Sequence, residues 1–294
     1  MAWLEYWWSK MADSTGEADL RKENFSRIVK GFALQEYKMK QLCMIESSNA
    51  WTETYYKETA ADLVGKDTVG GTVKGVPRLA NFPYGEVNWT KTSGINVKHA
   101  MEGVLSWEDV ATNNIPMIAR TLLRIARAVA KSVDTEIAEK IVSEAGNSVA
   151  ANATWDNAVI ADRDPIQDIL DAKATIEVDN YNPNKNSFLL VHPTDYSHLL
   201  GNANIRNAGQ FYSDSVTKNG VVGKLLGLTV ISSNSVLEGG SQVVIAKEAC
   251  TWKSVVGLTV KTIEDSGIKY TIRAWEVGQI QVVNDDAICK ITGV

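Results

Sequence analysis

Long apolar runs are missing from this chain of 294 residues. No stretch approaches the roughly 18 uninterrupted apolar residues of a membrane span, so no membrane partner is expected and the chain reads as soluble. An excess of basic charge is missing too. The formal net charge of -5 argues against a dedicated nucleic-acid reader, which usually carries a basic face. Cysteine is scarce: Cys43, Cys250 and Cys289 are odd in number, far apart and without a CxxC pair, which excludes a zinc or redox motif by spacing and reads as reduced cytosolic thiols. The start, MAWLEYWWSKMADSTGEAD, lacks the basic and apolar regions of a secretory signal. The sequons at Asn24, Asn88 and Asn152 are then expected to be chance.

Catalytic patterns are equally sparse. Of the three histidines, His192 and His198 stand six apart across a strand-to-helix junction, which does not match ligand spacing on one helix face, and structural roles are expected for both. No GxSxG elbow, HExxH or EF-hand pattern occurs. Glu264-Asp265 and Asp285-Asp286 lie beside predicted turns, where acids are ordinary. The stretch GKLLGLTVISSN at 223–234 resembles a phosphate loop only in its Gly-Lys. The required earlier glycine is misplaced, since Gly220 is too near Gly223, and Leu225 stands where a hydroxyl should hold magnesium. No metal, cofactor or catalytic residue is expected, and the chain does not read as an enzyme.

What is present has a marked order. Trp3, Leu4, Trp7 and Trp8 share one face if residues 2–9 are helical, and residues 17–47 carry Leu20, Ile28, Phe32, Met39 and Leu42 near helical spacing. From Asp62 to Val110 glycine recurs between short alternating runs of Val, Thr, Trp and Ile, a strand pattern. As a two-stranded ribbon of ~20 residues per arm it would reach ~65 Å and project from a body whose radius of gyration is ~19 Å. A helix follows, with Asn113 or Asn114 as cap, Pro116 in the first turn and Gly146 as terminator. Ile118, Leu122, Ile125, Val129, Val133, Ile137 and Ile141 form its apolar stripe. Its outer face is basic first (Arg120, Arg124, Arg127, Lys131) and acidic later (Asp134, Glu136, Glu139, Glu144). Such charge is either solvated or set against a neighbour's opposite charge.

Residues 147–254 read as a mixed α/β unit: a helix after Asp164-Pro165, a strand SFLLV, a short helix PTDYSHLLG with Thr194 as cap, and strands LGLTVIS and SQVVIA. From Val255 on the pattern is antiparallel, with a turn at Asp265-Ser266-Gly267.

This order of parts, together with FLLVHPTDYSHLL and GKLLGLTVISSNSV, resembles the major capsid proteins of tailed phages and related archaeal viruses, the Hong Kong-97 fold, from about Glu17 to Val294. The resemblance implies an α+β fold divided into an N-terminal arm (1–61), an extended β-ribbon loop (62–110), a spine helix of the peripheral domain (111–146), an axial domain (147–254) and returning strands of the peripheral domain (255–294). It implies a head protein that self-assembles as hexamers and pentamers into an icosahedral virion shell around double-stranded DNA, in the host cytoplasm. Portal, scaffold or decoration proteins are the implied partners, with DNA held non-specifically.

On this reading Trp3, Trp7 and Trp8 of the arm and Gly70, Gly71, Lys74, Arg78, Trp89, Lys91 and Lys98 of the loop contact neighbouring subunits. Gly70-Gly71 bends to fit different symmetry settings, and Gly223 and Gly227 are turn residues of the axial domain. Only about sixty residues precede the ribbon, which points to a separate scaffold or none. Some relatives carry a Lys-to-Asn crosslink; Lys66, Lys74, Lys91, Lys98 and Asn284 are the residues to consider, and no local motif selects them. Two other readings compete: an encapsulin-type compartment of the same fold, and an enzyme with its pocket between the α/β unit and the C-terminal sheet.

Overall fold

The computed structural model describes residues 22–57, 77–81, 90–112, 115–202, 205 and 223–294. Helix α1 (Lys22–Glu36) leads through a 3-10 turn (Lys40–Leu42) to strands β1 (Met44–Ser47) and β2 (Thr52–Lys57). The amphipathic segment expected over 17–47 therefore ends as a helix at Glu36. The physical reason lies across the fold: the Asp134 carboxylate accepts the backbone N–H groups of Lys38 at 2.8 Å and Met39 at 3.1 Å, donors that a continuing helix would have kept for itself.

Strands β3 (Thr90–Ile95) and β4 (Val97–Ser106), the short helix α2 (Trp107–Ala111) and the long helix α3 (Ile115–Ser143) follow. Ser106 caps α2, its hydroxyl accepting the Asp109 N–H at 3.0 Å. Pro116 is the second residue of α3, and the cap expected at Asn113 or Asn114 lies outside the described residues. All seven residues of the predicted stripe on α3 are buried. At ~1.5–3 kcal/mol per large apolar side chain, their burial is worth roughly 10–20 kcal/mol before chain entropy is counted.

The remaining elements are β5 (Asn147–Ala150), α4 (Pro165–Val178), β6 (Ser187–Val191), α5 (Pro193–Gly201), β7 (Lys224–Leu225), β8 (Leu228–Ser232), β9 (Gly240–Ile245), β10 (Cys250–Asp265), β11 (Lys269–Val282) and β12 (Ile288–Thr292). Asp164 caps α4 by accepting the Gln167 N–H at 3.2 Å. The cap of α5 is His192 rather than Thr194: its Nδ1 accepts the Thr194 N–H at 3.3 Å.

Two sheets carry the body. The first has the order β1-β10-β11-β4, with β1 parallel to β10 and the other pairs antiparallel. Helices α1 and α3 pack on it. The second has the order β5-β12-β9-β6-β8-β7 and packs against α4. Helix α3 belongs to both cores. Leu122, Ile125 and Val129 join Val29, Ala33, Leu105 and Ile272, whereas Val133, Ile137 and Ile141 join Leu189, Val243 and Ile288. Where α3 crosses β4, a side chain at Gly103 would run into Ile125, so glycine sets the helix-to-sheet distance there.

Three expectations about strands need correction. The ribbon's paired base lies at β2 and β3, with Thr52 opposite Ile95 and Lys57 opposite Thr90, so it starts ten residues before Asp62. Strand β4, expected in the ribbon, is a body strand paired with β11 from Ser106–Lys269 to Val97–Gly278. The C-terminal forty residues do not form one group with α3. Strands β10 and β11 lie in the first sheet, but β12 pairs with β9 and β5 in the second.

Candidate assembly surface

The ribbon's root is built from side chains on both of its edges. Tyr55 of β2 is buried, and Gln281 Nε2 of β11 reaches Glu53 Oε2 at 3.4 Å. Gly94 of β3 faces Gln279, and a side chain there would collide with its amide. Lys57, the last residue of β2, pairs with Glu144 just beyond α3, which also pairs with Lys140. Burial by itself would raise the Glu144 carboxyl, but these two ammonium groups hold it below its ordinary value. The ribbon is therefore tied to the C-terminal end of α3. It nonetheless leaves apolar surface uncovered: Trp51 is 63% exposed, Tyr56 54% and Ile95 73%.

Of the predicted loop residues, Arg78 sits in an exposed turn closed by the Ala80 N–H on Pro77 O at 3.2 Å. Lys91 is exposed on β3. Lys98 is exposed on β4, its ammonium 6.0 Å from the centre of the Trp275 ring, a cation–π distance. Gly70, Gly71, Lys74 and Trp89 of the loop, and Trp3, Trp7 and Trp8 of the arm, lie outside the described residues. Asn284 is buried and its amide donates to Glu248 O at 3.1 Å, so this residue is held in the body rather than presented to a lysine.

On α3, Arg120, Arg124, Arg127 and Lys131 are all exposed. Arg127 donates to Glu36 of α1 at 2.8 Å. Arg127 and Lys131 border a cleft of about 300 Å³ that Glu36, Lys38, Asp134 and Ser233 also line. In the acidic second half of the helix Glu139 is exposed, whereas Asp134 departs from a solvated face. Asp134 is 3% exposed, and burial pushes its carboxyl up to about 6 even though the Lys38 and Met39 N–H groups pull the other way.

Gly227 occupies the hairpin between β7 and β8. Leu226 and Gly227 have φ values of 52° and 85°, the left-handed pair of a type I′ two-residue hairpin loop. Gly223 lies just before β7, its carbonyl accepting the Val230 N–H at 3.3 Å. Lys173 of α4 holds this hairpin: its buried ammonium donates to Leu226 O at 2.9 Å and Asn184 Oδ1 at 2.8 Å.

Lys173 was not singled out from the sequence, although a signal existed. It stands with Ile169, Ala172 and Ile176 on the buried stripe of α4. Glu276 is a second such residue. It alternates with Ile272 and Ala274 on the buried face of β11, accepts the Tyr37 hydroxyl at 2.6 Å and pairs with Lys40. Burial, and then the Glu276 charge, raise the Tyr37 phenol well above its ordinary value. Beside them His99 bridges Ser132 at 2.8 Å and Glu136 at 2.7 Å. These groups join the segment between α1 and β1 to α3, β4 and β11. Among the described residues no three His, Cys, Asp or Glu side chains are placed to hold a metal ion, and no helix is long and apolar enough to cross a membrane.

The architecture has counterparts among solved structures. The capsid structure of the cyanophage P-SCSP1u is similar at a TM-score of 0.67 and 12% identity, over 88% of each chain. The virus-like particle of Pyrococcus furiosus is similar at 0.64 and 10% identity, over 92% of this chain and 98% of that one. A chain of Mycobacterium phage Che8 is similar at 0.57 and 16% identity, over 82% and 84%. The fold is of the Hong Kong-97 capsid type. None of the curated proteins matches the chain. The phage capsid protein family matches residues 98–291. The chain belongs to that family and is a capsid shell protein.

Proposed function

We propose that this chain is the major head protein of a tailed virus, and that its copies close as hexamers and pentamers into an icosahedral shell around double-stranded DNA. The observation that carries this reading is the ribbon: its root is fastened by Tyr55 and the Lys57–Glu144 pair, yet Trp51, Tyr56 and Ile95 beside it stay exposed. Apolar surface of this kind on a fastened arm is stabilised when a neighbouring subunit covers it, and such contacts add around closed rings. On the same reading Trp3, Trp7, Trp8, Gly70, Gly71, Lys74, Arg78, Trp89, Lys91 and Lys98 lie at subunit contacts, with the chain before β2 acting as the arm and the ribbon rooted in β2 and β3 as the extended loop. Arg120, Arg124, Arg127 and Lys131 meet a neighbour's acidic surface. Portal, scaffold or decoration proteins are its partners. Assembly takes place in the host cytoplasm, DNA is held without sequence preference, and catalysis has no part in the function.

Expression of the chain alone, followed by light scattering and negative-stain electron microscopy, tests this. Closed shells, or free pentamers and hexamers, support it; a monomer that stays monomeric with candidate scaffold proteins overturns it. A second reading is favoured by the similarity to the virus-like particle of Pyrococcus furiosus: a compartment that encloses protein cargo. Particles purified from the native source decide between them, since a head holds DNA and a compartment holds an enzyme.

A further inference from the structure

Two of the three cysteines, 207 positions apart in sequence, come together in the fold. The Sγ atoms of Cys43 and Cys250 lie 3.2 Å apart and both residues are buried. Their closeness follows from register. Strands β1 and β10 pair in parallel with Met44 opposite Thr251, so Cys43 and Cys250 oppose each other one step earlier. Paired strands run about 4.8 Å apart, within the Cα separation of roughly 4.4–6.8 Å that a disulfide spans. A covalent S–S bond needs the sulfurs to close by roughly 1 Å, a distance that side-chain rotation supplies. Cys289, also buried, has no such partner among the described residues; its thiol contacts Lys290 O at 3.8 Å.

We infer that Cys43 and Cys250 form a redox-sensitive clamp, closed by a small-molecule disulfide such as oxidised glutathione, that fastens β1 to β10. The step balances as thiol–disulfide exchange. The Cys43 thiolate attacks the small disulfide and releases one thiol. Cys250 then attacks the Cys43 sulfur of the mixed disulfide and releases the second, the two cysteine protons ending on the two released thiols.

The surroundings set when this happens. Contact with Cys250, and then burial, raise the Cys43 thiol well above its ordinary value, so the closed fold keeps it protonated and slow to react. Strand β1, however, is four residues long and lies at the sheet edge, with Met44, Ile45 and Ser47 exposed. Local opening of such an edge is cheap compared with global unfolding, and it uncovers Cys43. Once closed, the bond joins the segment from which the ribbon departs to the long β10–β11 hairpin. It also restricts the unfolded chain over the whole loop between the two residues. All of these contacts lie within one chain, so closure of the clamp does not require shell assembly.

The test uses the full chain, reduced and then incubated with excess oxidised glutathione, with and without urea below the unfolding midpoint. Free thiols are alkylated and the protein is digested without reduction for mass spectrometry. The expected result is a Cys43–Cys250 crosslinked peptide with Cys289 alkylated, formed faster in urea. The melting temperature should rise by about 5 °C or more and return on treatment with dithiothreitol. Cys289→Ser should keep crosslink and shift, and Cys250→Ser should lose both; if Cys250→Ser does not fold, the peptide map of the unchanged chain and of Cys289→Ser still decides. Three alkylated thiols under both conditions, glutathione retained on one cysteine, or a crosslink with no rise in melting temperature overturns the inference.

Discussion

The ribbon root and the β10–β11 hairpin are both antiparallel pairs that carry Thr, Lys, Tyr and Ile, yet they meet opposite fates. Strands β10 and β11 are flanked by β1 and β4 and covered by α1 and α3, so Val260, Ile272, Ala274, Val277 and Ile280 are buried. In β2 and β3 only Tyr55 is buried. The hairpin adds Val, Leu and Trp that the root lacks, and its neighbours differ as well. A strand's contribution to stability is set by what covers its faces, which makes the hairpin part of the core and leaves the ribbon's surface for another chain.

The sharpest way to break this comparison is to remove the ribbon beyond its root, joining residue 59 to residue 88 through a short Gly-Ser linker. Shell formation should be lost completely while the melting temperature stays within a few degrees. Particles of normal size would refute the assembly role. The cut must stop short of β4: a deletion reaching residue 100 would remove His99, which binds Ser132 and Glu136 of α3.

Point substitutions should show the same contrast in stability. Ile272→Ala in the hairpin should cost about 2–5 kcal/mol by urea denaturation, whereas Ile95→Ala in the ribbon should stay within about 0.5 kcal/mol. Equal costs would mean that the ribbon is as well covered as the body.

Ion pairs divide in the same way. Glu276→Gln removes the partner of Lys40 and weakens that of Tyr37 inside the body, and should cost about 3 kcal/mol. Glu102→Gln breaks the pair with Arg273, in which both side chains are about half exposed; a loss below about 1 kcal/mol is expected.

Asp134 within α3 and Glu144 just beyond it should respond to pH with opposite sign. Folding raises Asp134 to about 6, above the unfolded value near 4. Between those values the folded state alone holds the proton, so this group's contribution to stability falls by roughly 2–3 kcal/mol as pH rises through the window. Comparing unchanged protein with Asp134→Asn from pH 4 to pH 7 should isolate that slope. Glu144 is lowered, so its contribution is present above the unfolded value and lost as pH falls through the folded one. Glu144→Gln should abolish that smaller loss.

Much of the fold was legible in the chain itself. The stripe on α3, the bounds of α4 and β6 and the turn at Asp265-Ser266-Gly267 are local matters: helical period, caps and the backbone freedom of Gly267 at φ 73° act within a few residues of one another. Lys173, Glu276 and Asp134 were marked by apolar periods that they interrupt. A period says that a side chain is inward, but not what charge or amide will meet it there.

Tertiary structure alone decided which strands pair. An alternating pattern records two faces and no partner, so nothing in residues 97–106 says that they join β11 instead of the ribbon, and nothing in 288–292 says that they leave α3's sheet for β9 and β5. The same limit hid the meeting of Cys43 with Cys250, and of Asp134 with the amides that end α1. Local sequence determined where most elements are, because their cause is within reach of neighbouring residues; the end of α1, set by Asp134, is the exception. Long-range pairing determined what each element touches, because that depends on which distant faces bury one another when the whole chain closes.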